Sequence, residues 1–578
     1  MAEFAPVQVD PGIPHEGGPS NVGGRPARPG GLLRWGTALV VVALIVGVVS
    51  VGTVLLASGS ATSAIEGWIP SGTVIYIEGR ADLPGDQRQN VGNTIAKFPG
   101  FKDQASLDAK IDTALDQLLE KSGISWTTDL KPWVAGEVGV AVTRDLLDLA
   151  AAARADPSSV KLPDRGVLVL ASVKDVAAAT AWVAKQVGGT PTTTTYGDGQ
   201  ITTVKRDAMS VAWAARGTVL LLGPEASVKA ALDTKGASPV AASSGFLSAK
   251  KAAPSAYLGF GYLDTRSLFD ALLATAGSTG SLPQACLDNA LAAVPDWAAG
   301  FARAADGALV MDQVAPVPSE APASTSKDTP SAIAARLPAG TLVAFEGRQA
   351  GPALVALWSG IKAGIACDPS QKGVLDQVDT ALGAIGGIES LVGWAGDAAV
   401  AVTRDGTTWG GGLAAIATDP ASAKRTLGQL KAALALAGGS FGITYTEEAY
   451  AAGTIAVVTL PATSGVDVPA LAVTAQGDLF ALGTLDFVKS VLDTAAGGGL
   501  AAQPGYSRAV DLAGGAGVMD AYVNITGLRE GLEGLMPAAE KARYDADVKP
   551  FLEPFDAVAA VSKAPAATQT SRIVLVFK

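Results

Sequence analysis

The chain has 578 residues with a hydrophobic fraction of 48% and a charged fraction of 17%, which is enough to bury several domain cores. Its formal net charge is −11, and its Lys and Arg residues form no basic stripe. Nucleic acid is therefore excluded as an expected partner, since binding to a phosphate backbone needs clustered positive charge.

The N-terminal part of the chain divides into a polar leader and an apolar run. Residues 1–34 are rich in Pro and Gly without periodicity, which predicts a disordered cytoplasmic tail. The uncharged run from Trp35 to Ala57 is long enough to span a bilayer core of roughly 30 Å. Arginines precede it and no Lys or Arg lies in 58–67, so we expect the bulk of the chain to be extracytoplasmic. The sequence thus predicts a single-pass transmembrane helix at 35–57 with the lipid bilayer as partner; a cleaved signal peptide is the alternative.

The rest of the chain contains an internal repeat. The run Val-Ala-Val-Thr-Arg-Asp occurs at 140–145 and again at 400–405, and each copy follows a tryptophan, a glycine and an acidic residue. We therefore expect two copies of one module, at 66–314 and 336–578. A Pro/Ala/Ser-rich linker is predicted between them at 315–335.

Within each module, short apolar strands alternate with helices. Residues 73–78 are β-branched and aromatic, and 138–143 are continuously apolar, so both predict strands. Leucine and isoleucine recur at helical spacing in 107–119, and an alanine-rich helix is predicted over 176–187. The expected fold class is α+β, a tandem duplicated module of mixed or antiparallel sheet backed by helices, preceded by one transmembrane helix. Two stacked sheets and one merged sheet are both compatible with this pattern.

Several short motifs together resemble a known bacterial family, described as domain of unknown function 3352 and typical of high-GC actinobacteria. The resemblance covers the chain from about residue 66 to its C-terminus, and it implies a membrane-anchored, surface-exposed bacterial protein. It carries over no catalytic residue. At Glu78-Gly79-Arg80 the chain departs from the family pattern, in which Asp-rich residues are commoner. The motifs that carry the resemblance lie at 70–76, 84–87, 97–102, 132–136 and 337–341.

The scarcity of His and Cys limits the chemistry of the chain. His15 is the only histidine and lies on the predicted cytoplasmic side, which excludes Ser-His-Asp and Cys-His catalysis and His-bearing zinc sites in the outer part. We expect no cofactor and no metal. Cys286 and Cys367 are the only cysteines, and a disulfide between the two modules is the preferred interpretation, with two buried thiols as the alternative.

Four residues next to the repeated motif are candidate site residues. Glu137 and Asp397 occupy equivalent positions, where paired carboxylates could perform acid/base hydrolysis or, more simply, lie in solvent or pair with a nearby Arg. Trp133 and Trp394 could stack against a sugar or a protein partner, or could wedge the strand entrance against the core.

Two functions follow as hypotheses. The first is a non-enzymatic, membrane-tethered envelope protein with a binding, scaffolding or structural role toward a protein, a glycan or a lipid-like ligand. The alternative is a cell-wall glycan hydrolase that uses carboxylates alone, without His or metal.

Overall fold

The protein is described by a computed structural model, in which helices and strands are defined for most of the chain beyond residue 62. The predicted tail and the run from Trp35 to Ala57 lie outside the described residues. The structure describes 63–80, 83, 85–101, 106–148, 165–206, 209–278, 283–318, 327–368, 371–441, 444–459, 470–494 and 498–578.

The described strands fall into two sets of ten that pair in the same order. The first half contains β1 (Thr73–Arg80), β2 (Val134–Thr143), β3 (Val167–Val173), β4 (Thr192–Tyr196), β5 (Gly199–Arg206), β6 (Met209–Arg216), β7 (Val219–Pro224), β8 (Gly259–Leu263), β9 (Ala298–Ala305) and β10 (Ala308–Pro316). The second half contains β11 (Thr341–Gly347), β12 (Ala395–Asp405), β13 (Thr408–Ala417), β14 (Thr444–Tyr450), β15 (Gly453–Thr459), β16 (Leu471–Gln476), β17 (Leu479–Thr484), β18 (Met519–Asn524), β19 (Phe555–Ser562) and β20 (Thr568–Phe577).

Helices connect these strands and pack on both faces of the sheet. In the first half they are α1 (Gln87–Ile95), α2 (Leu107–Leu119), α3 (Val176–Val187), α4 (Glu225–Asp233), α5 (Ser244–Lys251), α6 (Thr265–Ser278) and α7 (Gln284–Ala292). In the second half they are α8 (Ala350–Ala366), α9 (Lys372–Ala384), α10 (Gly387–Val392), α11 (Pro420–Phe441), α12 (Leu485–Asp493), α13 (Pro504–Leu512), α14 (Ile525–Glu533), α15 (Ala538–Asp547) and α16 (Lys549–Leu552).

All twenty strands form one antiparallel sheet, so the two halves merge rather than stack. The first half runs β4–β5–β6–β7–β3–β2–β1–β8–β9–β10 across the sheet. The second half continues from it as β20–β19–β18–β11–β12–β13–β17–β16–β15–β14. Each strand of the first half has a counterpart ten strands later in the chain, in mirrored order about the β10–β20 pair.

The β10–β20 pair lies on an approximate twofold axis of the sheet. It contains nine residue pairs, from Ala308 with Val576 to Pro316 with Thr568, and Asp312 opposes Arg572 at its centre. Asp312 accepts from Arg572 Nε at 2.5 Å through one carboxylate oxygen and from Arg303 Nε at 3.2 Å through the other. Ion pairing therefore specifies the register at the position where the halves meet.

Aromatic residues distinguish the two faces of the sheet. We define the inner face as the one that carries Tyr76, Phe260 and Phe301. Tyr76 and Phe260 pack against Phe246 of α5, and Phe301 stacks on Phe260. Tyr522 lies on the same face in the second half and packs against Tyr506 of α13. We call the opposite side the outer face. Because side chains alternate along a strand, neighbours of these residues in sequence point to the outer face.

The fold class expected from the sequence needs a correction in its transmembrane part. Among the described residues, no helix is both long and apolar enough to cross a membrane. The long helix α11 has 22 residues but contains Lys424, Arg425 and Lys431, and the more apolar α8 has only 17 residues. The described chain is thus an α+β structure with a twenty-stranded antiparallel sheet. The same finding contradicts the expected location, a single-pass protein in a bacterial cell membrane.

The segment expected to be a linker is partly incorporated into the fold. Its first residues end β10, and Ile333 and Ala334 near its end are buried in the core of the second half. Residues 319–326 lie outside the described part. The pairing of β10 with β20 extends into the Pro-rich stretch, where Pro316 pairs with Thr568.

The disulfide expected from the sequence is confirmed. Cys286 of α7 and Cys367, directly after α8, are bonded with their Cα atoms 5.1 Å apart, and they are 81 positions apart in the chain. The bridge connects a helix of the first half to a helix of the second half. A third link between the halves is formed by Phe98, whose ring packs 5.6 Å from Phe555 and 6.0 Å from Phe577.

We predict that the double variant Cys286→Ser/Cys367→Ser is less stable than the wild type by about 2–4 kcal/mol, because it removes a cross-link that restricts the unfolded chain. Urea denaturation followed by circular dichroism would measure the change. Reductant should shift the wild type to the same midpoint and leave the variant unchanged. Equal midpoints for oxidised wild type and variant would contradict a stabilising bridge.

Candidate functional site

The two candidate tryptophans are core residues in this structure. Trp133 is 6% exposed, packs 5.4 Å from Trp182 and donates from its indole nitrogen to the Asp129 carbonyl at 2.7 Å. Trp394 is 7% exposed and packs 5.0 Å from Phe480, and its indole nitrogen donates to the Leu391 carbonyl. Both rings wedge a strand entrance against outer-face helices rather than present a face to a sugar.

Glu137 is buried in an ion pair. Its side chain lies 3.4 Å from Nη2 of Arg80, which is itself 1% exposed at the end of β1. The backbone N–H of Ala64 donates to the other carboxylate oxygen at 2.7 Å. Of the simpler alternatives for Glu137, the structure shows pairing with an arginine and not exposure to solvent.

A second part of the same cluster surrounds Glu78. Tyr76 and Tyr257 donate their hydroxyls to the two oxygens of Glu78 at 2.7 and 2.8 Å. Lys250 of α5 donates to the Tyr257 hydroxyl at 2.7 Å and pairs with Glu66. We refer to the charged and tyrosine side chains around Arg80, Glu78 and Lys250 as the first charge cluster.

Among the described residues of the first charge cluster, the three acids Glu66, Glu78 and Glu137 lie with the two bases Arg80 and Lys250. Burial, followed by repulsion from Glu78, raises the pKa of Glu66 to about 7. One carboxyl of the cluster therefore holds its proton near neutral pH.

The second half repeats this arrangement around Arg348. Its guanidinium pairs with Asp520 and lies 3.9 Å from both Asp397 and Glu346. The backbone N–H of Ala332 donates to Asp397 at 2.9 Å, as that of Ala64 does to Glu137. Burial raises the pKa of both Glu346 and Asp520. We refer to this group as the second charge cluster.

The Glu-Gly-Arg motif explains why the clusters occur twice. Residues two apart on a strand share a face, so Glu78 and Arg80 both point inward at the end of β1, and Glu346 and Arg348 do the same after β11. Each arginine pairs with an acid from the next strand, and Arg348 also lies 3.9 Å from the glutamate of its own motif. The clusters therefore fasten the segments that precede β1 and β11, which donate backbone N–H groups to them.

The two candidate carboxylates do not meet. Glu137 lies on β2 and Asp397 on β12, and eight strands separate these two in the sheet order. At about 4.8 Å per strand the separation is on the order of 40 Å, far beyond the roughly 5–10 Å between the carboxyl groups of a glycosidase. Within the described part of the chain, no group of three or more His, Cys, Asp or Glu is arranged to hold a metal ion.

A groove that the sequence did not indicate lies on the outer face. Its volume is about 750 Å³, and strands β1, β8, β9, β10 and β20 line it together with Leu268 of α6 and the β19–β20 loop. The lining comprises Ile75, Ile77, Gly261, Tyr262, Leu263, Leu268, Ala298, Ala299, Gly300, Met311, Gln313, Val314, Ala315, Ser562, Lys563, Pro565, Gln569, Thr570 and Ser571. Most of these side chains are aliphatic or small.

Glycines form the floor of the groove. Gly261 and Gly300 oppose each other in register, and a Cβ atom added at Gly261 would meet no heavy atom within 4 Å. Glycine inside a strand weakens it and often marks a bulge, a bend or a site where a ligand or another backbone approaches closely. The open space above Gly261 is therefore suited to a ligand that lies directly on the strands.

The lysine and two of the polar side chains of the groove have partners inside the protein. Lys563 is the one charged side chain of the lining, and its ammonium donates to the carbonyl oxygens of Gly514, at 2.8 Å, and Ala516. The Ser571 hydroxyl donates to the Gln313 side chain at 3.1 Å. The groove is thus chemically apolar, and its lining favours a ligand with little polar surface.

Sequence reasoning missed this groove because no single segment forms it. Ile75 and Ile77 were read only as strand residues, and Gly261 and Gly300 carry no motif. The groove needs β20 from the far end of the chain beside β10. Glycine and alanine at alternate positions of 259–261 and 298–302 were the available signal.

Comparisons with known proteins give a family and a weak structural likeness. The family model described as "Protein of unknown function (DUF3352)" matches residues 38–578, and no curated protein matches the chain. Crystal form III of TP0453 is similar with 12% identity and a TM-score of 0.21, over 46% of this chain and 84% of that chain. Crystal form I has 11% identity and a TM-score of 0.22, over 47% and 83%. Scores this low support no functional conclusion.

We predict that Glu66→Gln flattens the pH dependence of stability. The folded-state pKa of about 7 exceeds the ordinary value of 4.5, so the folded state holds a proton that the unfolded chain has lost. This stabilisation is complete below the unfolded pKa and disappears as the pH rises toward 7. Urea denaturation between pH 4.5 and 8 should show a shallower fall for Glu66→Gln than for wild type. The exposed Glu540→Gln is the control, and a slope for Glu66→Gln equal to that of this control would refute the assignment.

We predict that Arg348→Met destabilises the protein by about 3–5 kcal/mol, since it leaves buried carboxylates without their cation. Arg543→Met, at a side chain that is 88% exposed, should change stability by less than about 0.5 kcal/mol. Guanidinium denaturation midpoints measure both. Adding Asp520→Asn to Arg348→Met should recover part of the loss. Similar costs for the two arginine variants would show that the second charge cluster contributes nothing.

Proposed function

The chain belongs to the family described as "Protein of unknown function (DUF3352)", and because that description names no activity, we propose its function from the groove on the outer face. The protein is a non-enzymatic binding protein that holds an apolar, lipid-like ligand in this groove. The observation that carries the proposal is an apolar recess of about 750 Å³ whose floor is bare strand backbone at Gly261.

Size and chemistry both support a small apolar ligand. Small-molecule sites are mostly apolar clefts of about 300–1,000 Å³, and the groove falls within this range. Each methylene buried from water contributes roughly 0.8 kcal/mol, so a chain of several methylenes would bind without any charged contact. A glycan fits poorly, because its many hydroxyls would lose water without gaining partners from Ile75, Ile77 or Leu263.

Binding is also favoured over hydrolysis by the charge clusters. Glu137 and Asp397, the carboxylates that a hydrolase would need, are each committed to an arginine and to a backbone N–H. They lie on inner-face clusters of different halves, whereas the groove lies on the outer face. The carboxylates therefore support the fold that presents the groove.

We predict that Gly261→Phe fills the groove and weakens binding of a dansyl-labelled fatty acid by at least about tenfold, equal to roughly 1.4 kcal/mol. The new ring would project into open space, so the fold should keep its stability. Fluorescence titration measures the affinity, and thermal unfolding checks the fold.

Ala521→Phe is the matched control for this prediction. Ala521 occupies the corresponding outer-face position of the second half, opposite Phe345 and outside the groove lining. This variant should bind the probe as the wild type does. If Gly261→Phe and Ala521→Phe bind equally well, or if the wild type does not bind the probe, the proposed function is wrong.

A further inference from the structure

We propose that the ligand is a single unbranched apolar chain that lies across the strands and continues from the groove over the junction into the second half. This inference rests on the proposed function and specifies its ligand. It follows from the register of the sheet, which places on the outer face of both halves one row of seven residues, five of them Gly or Ser.

The row begins inside the groove. Residues that oppose each other in antiparallel strands share a face, so pairing can be followed from strand to strand. Gly261 of β8 opposes Gly300 of β9, Gly300 opposes Gln313 of β10, and Gln313 opposes Ser571 of β20. These side chains lie in line at right angles to the strands, and their small members leave the backbone uncovered.

The same row leaves the groove on the side of the second half. Ser571 opposes Ser562 of β19, Ser562 opposes Met519 of β18, and Met519 opposes Gly347 of β11. Met519 is 60% exposed although it is an apolar residue in a strand, and a Cβ at Gly347 would meet nothing within 4 Å. From Gly261 to Gly347 the row takes six steps between strands, roughly 29 Å at about 4.8 Å per step.

Bulkier residues flank the row and limit its width. Ile75 and Leu263, which oppose each other, lie on one side within the groove. Met311 and Phe345 lie two residues along their strands on the other side and are 47% and 59% exposed. Rows on one face are about 7 Å apart, so the gap holds one polymethylene chain and excludes side branches. Exposed Met519 and Phe345 would gain burial from such a chain.

The test titrates a series of fluorescent, unbranched fatty acids of increasing chain length into the wild-type protein. The same series is titrated into two variants, Met519→Lys and Leu482→Lys. Wild-type affinity should rise by about fourfold per methylene, which corresponds to roughly 0.8 kcal/mol, until the chain reaches the end of the row. Met519→Lys should stop this rise at a shorter chain length and leave binding of the short members unchanged. Leu482→Lys, the same change at a residue 41% exposed on the outer face but off the row, should follow the wild-type curve.

Each outcome decides a defined claim. Identical curves for Met519→Lys and Leu482→Lys would overturn the continuation across the junction, while loss of short-chain binding in Gly261→Phe would still support the groove. Retention of short-chain binding in Gly261→Phe would overturn the proposed function itself. A methyl-branched chain of equal length should bind more weakly to the wild type, and equal binding would overturn the single unbranched chain. Circular dichroism of both lysine variants should match the wild type, since both positions are exposed.

Discussion

The antiparallel pairing of β10 with β20 is the constraint on which the rest of the structure depends. It joins the last strand of one half to the last strand of the other, with Asp312 held between Arg303 and Arg572 near the approximate twofold axis. Without this pair β10 and β20 would be two additional sheet edges, and free edges are prone to pairing with other chains. The Cys286–Cys367 bridge strengthens a junction that the strands already define.

The buried charge clusters explain how each half holds the segment that precedes β1 or β11. Three carboxylates surround Arg80 and Lys250, and three surround Arg348. Burial and mutual repulsion raise the pKa of Glu66 in the first cluster and of Glu346 and Asp520 in the second. Buried ion pairs add little net stability compared with apolar packing, but breaking one is expensive. The clusters therefore specify which segment enters the core more than they stabilise it. Their recurrence in both halves indicates a requirement of the module itself.

The function that we propose depends on a difference between the halves rather than on their similarity. The groove lies where the first half has Gly261 and Gly300, and the corresponding positions of the second half hold Ala521 and Ala560. The charge clusters, by contrast, occur in both halves and face inward. The recess on the outer face, whose lining is mostly apolar, is the feature to which we assign the proposed ligand.

The sequence alone predicted the repeat and the strand and helix pattern around Val140 and Val400, because local periodicity encodes these features. It favoured a disulfide between Cys286 and Cys367 over two buried thiols, and the structure contains that bond. It also predicted that Glu137 could meet an arginine, but it did not indicate that Glu78-Gly79-Arg80 provides that arginine. Only the tertiary structure decided that the two sheets merge, since β20 could pair with several edges of similar apolar pattern. It alone revealed the groove, because the lining joins residues up to about 500 positions apart and no local pattern encodes such a contact.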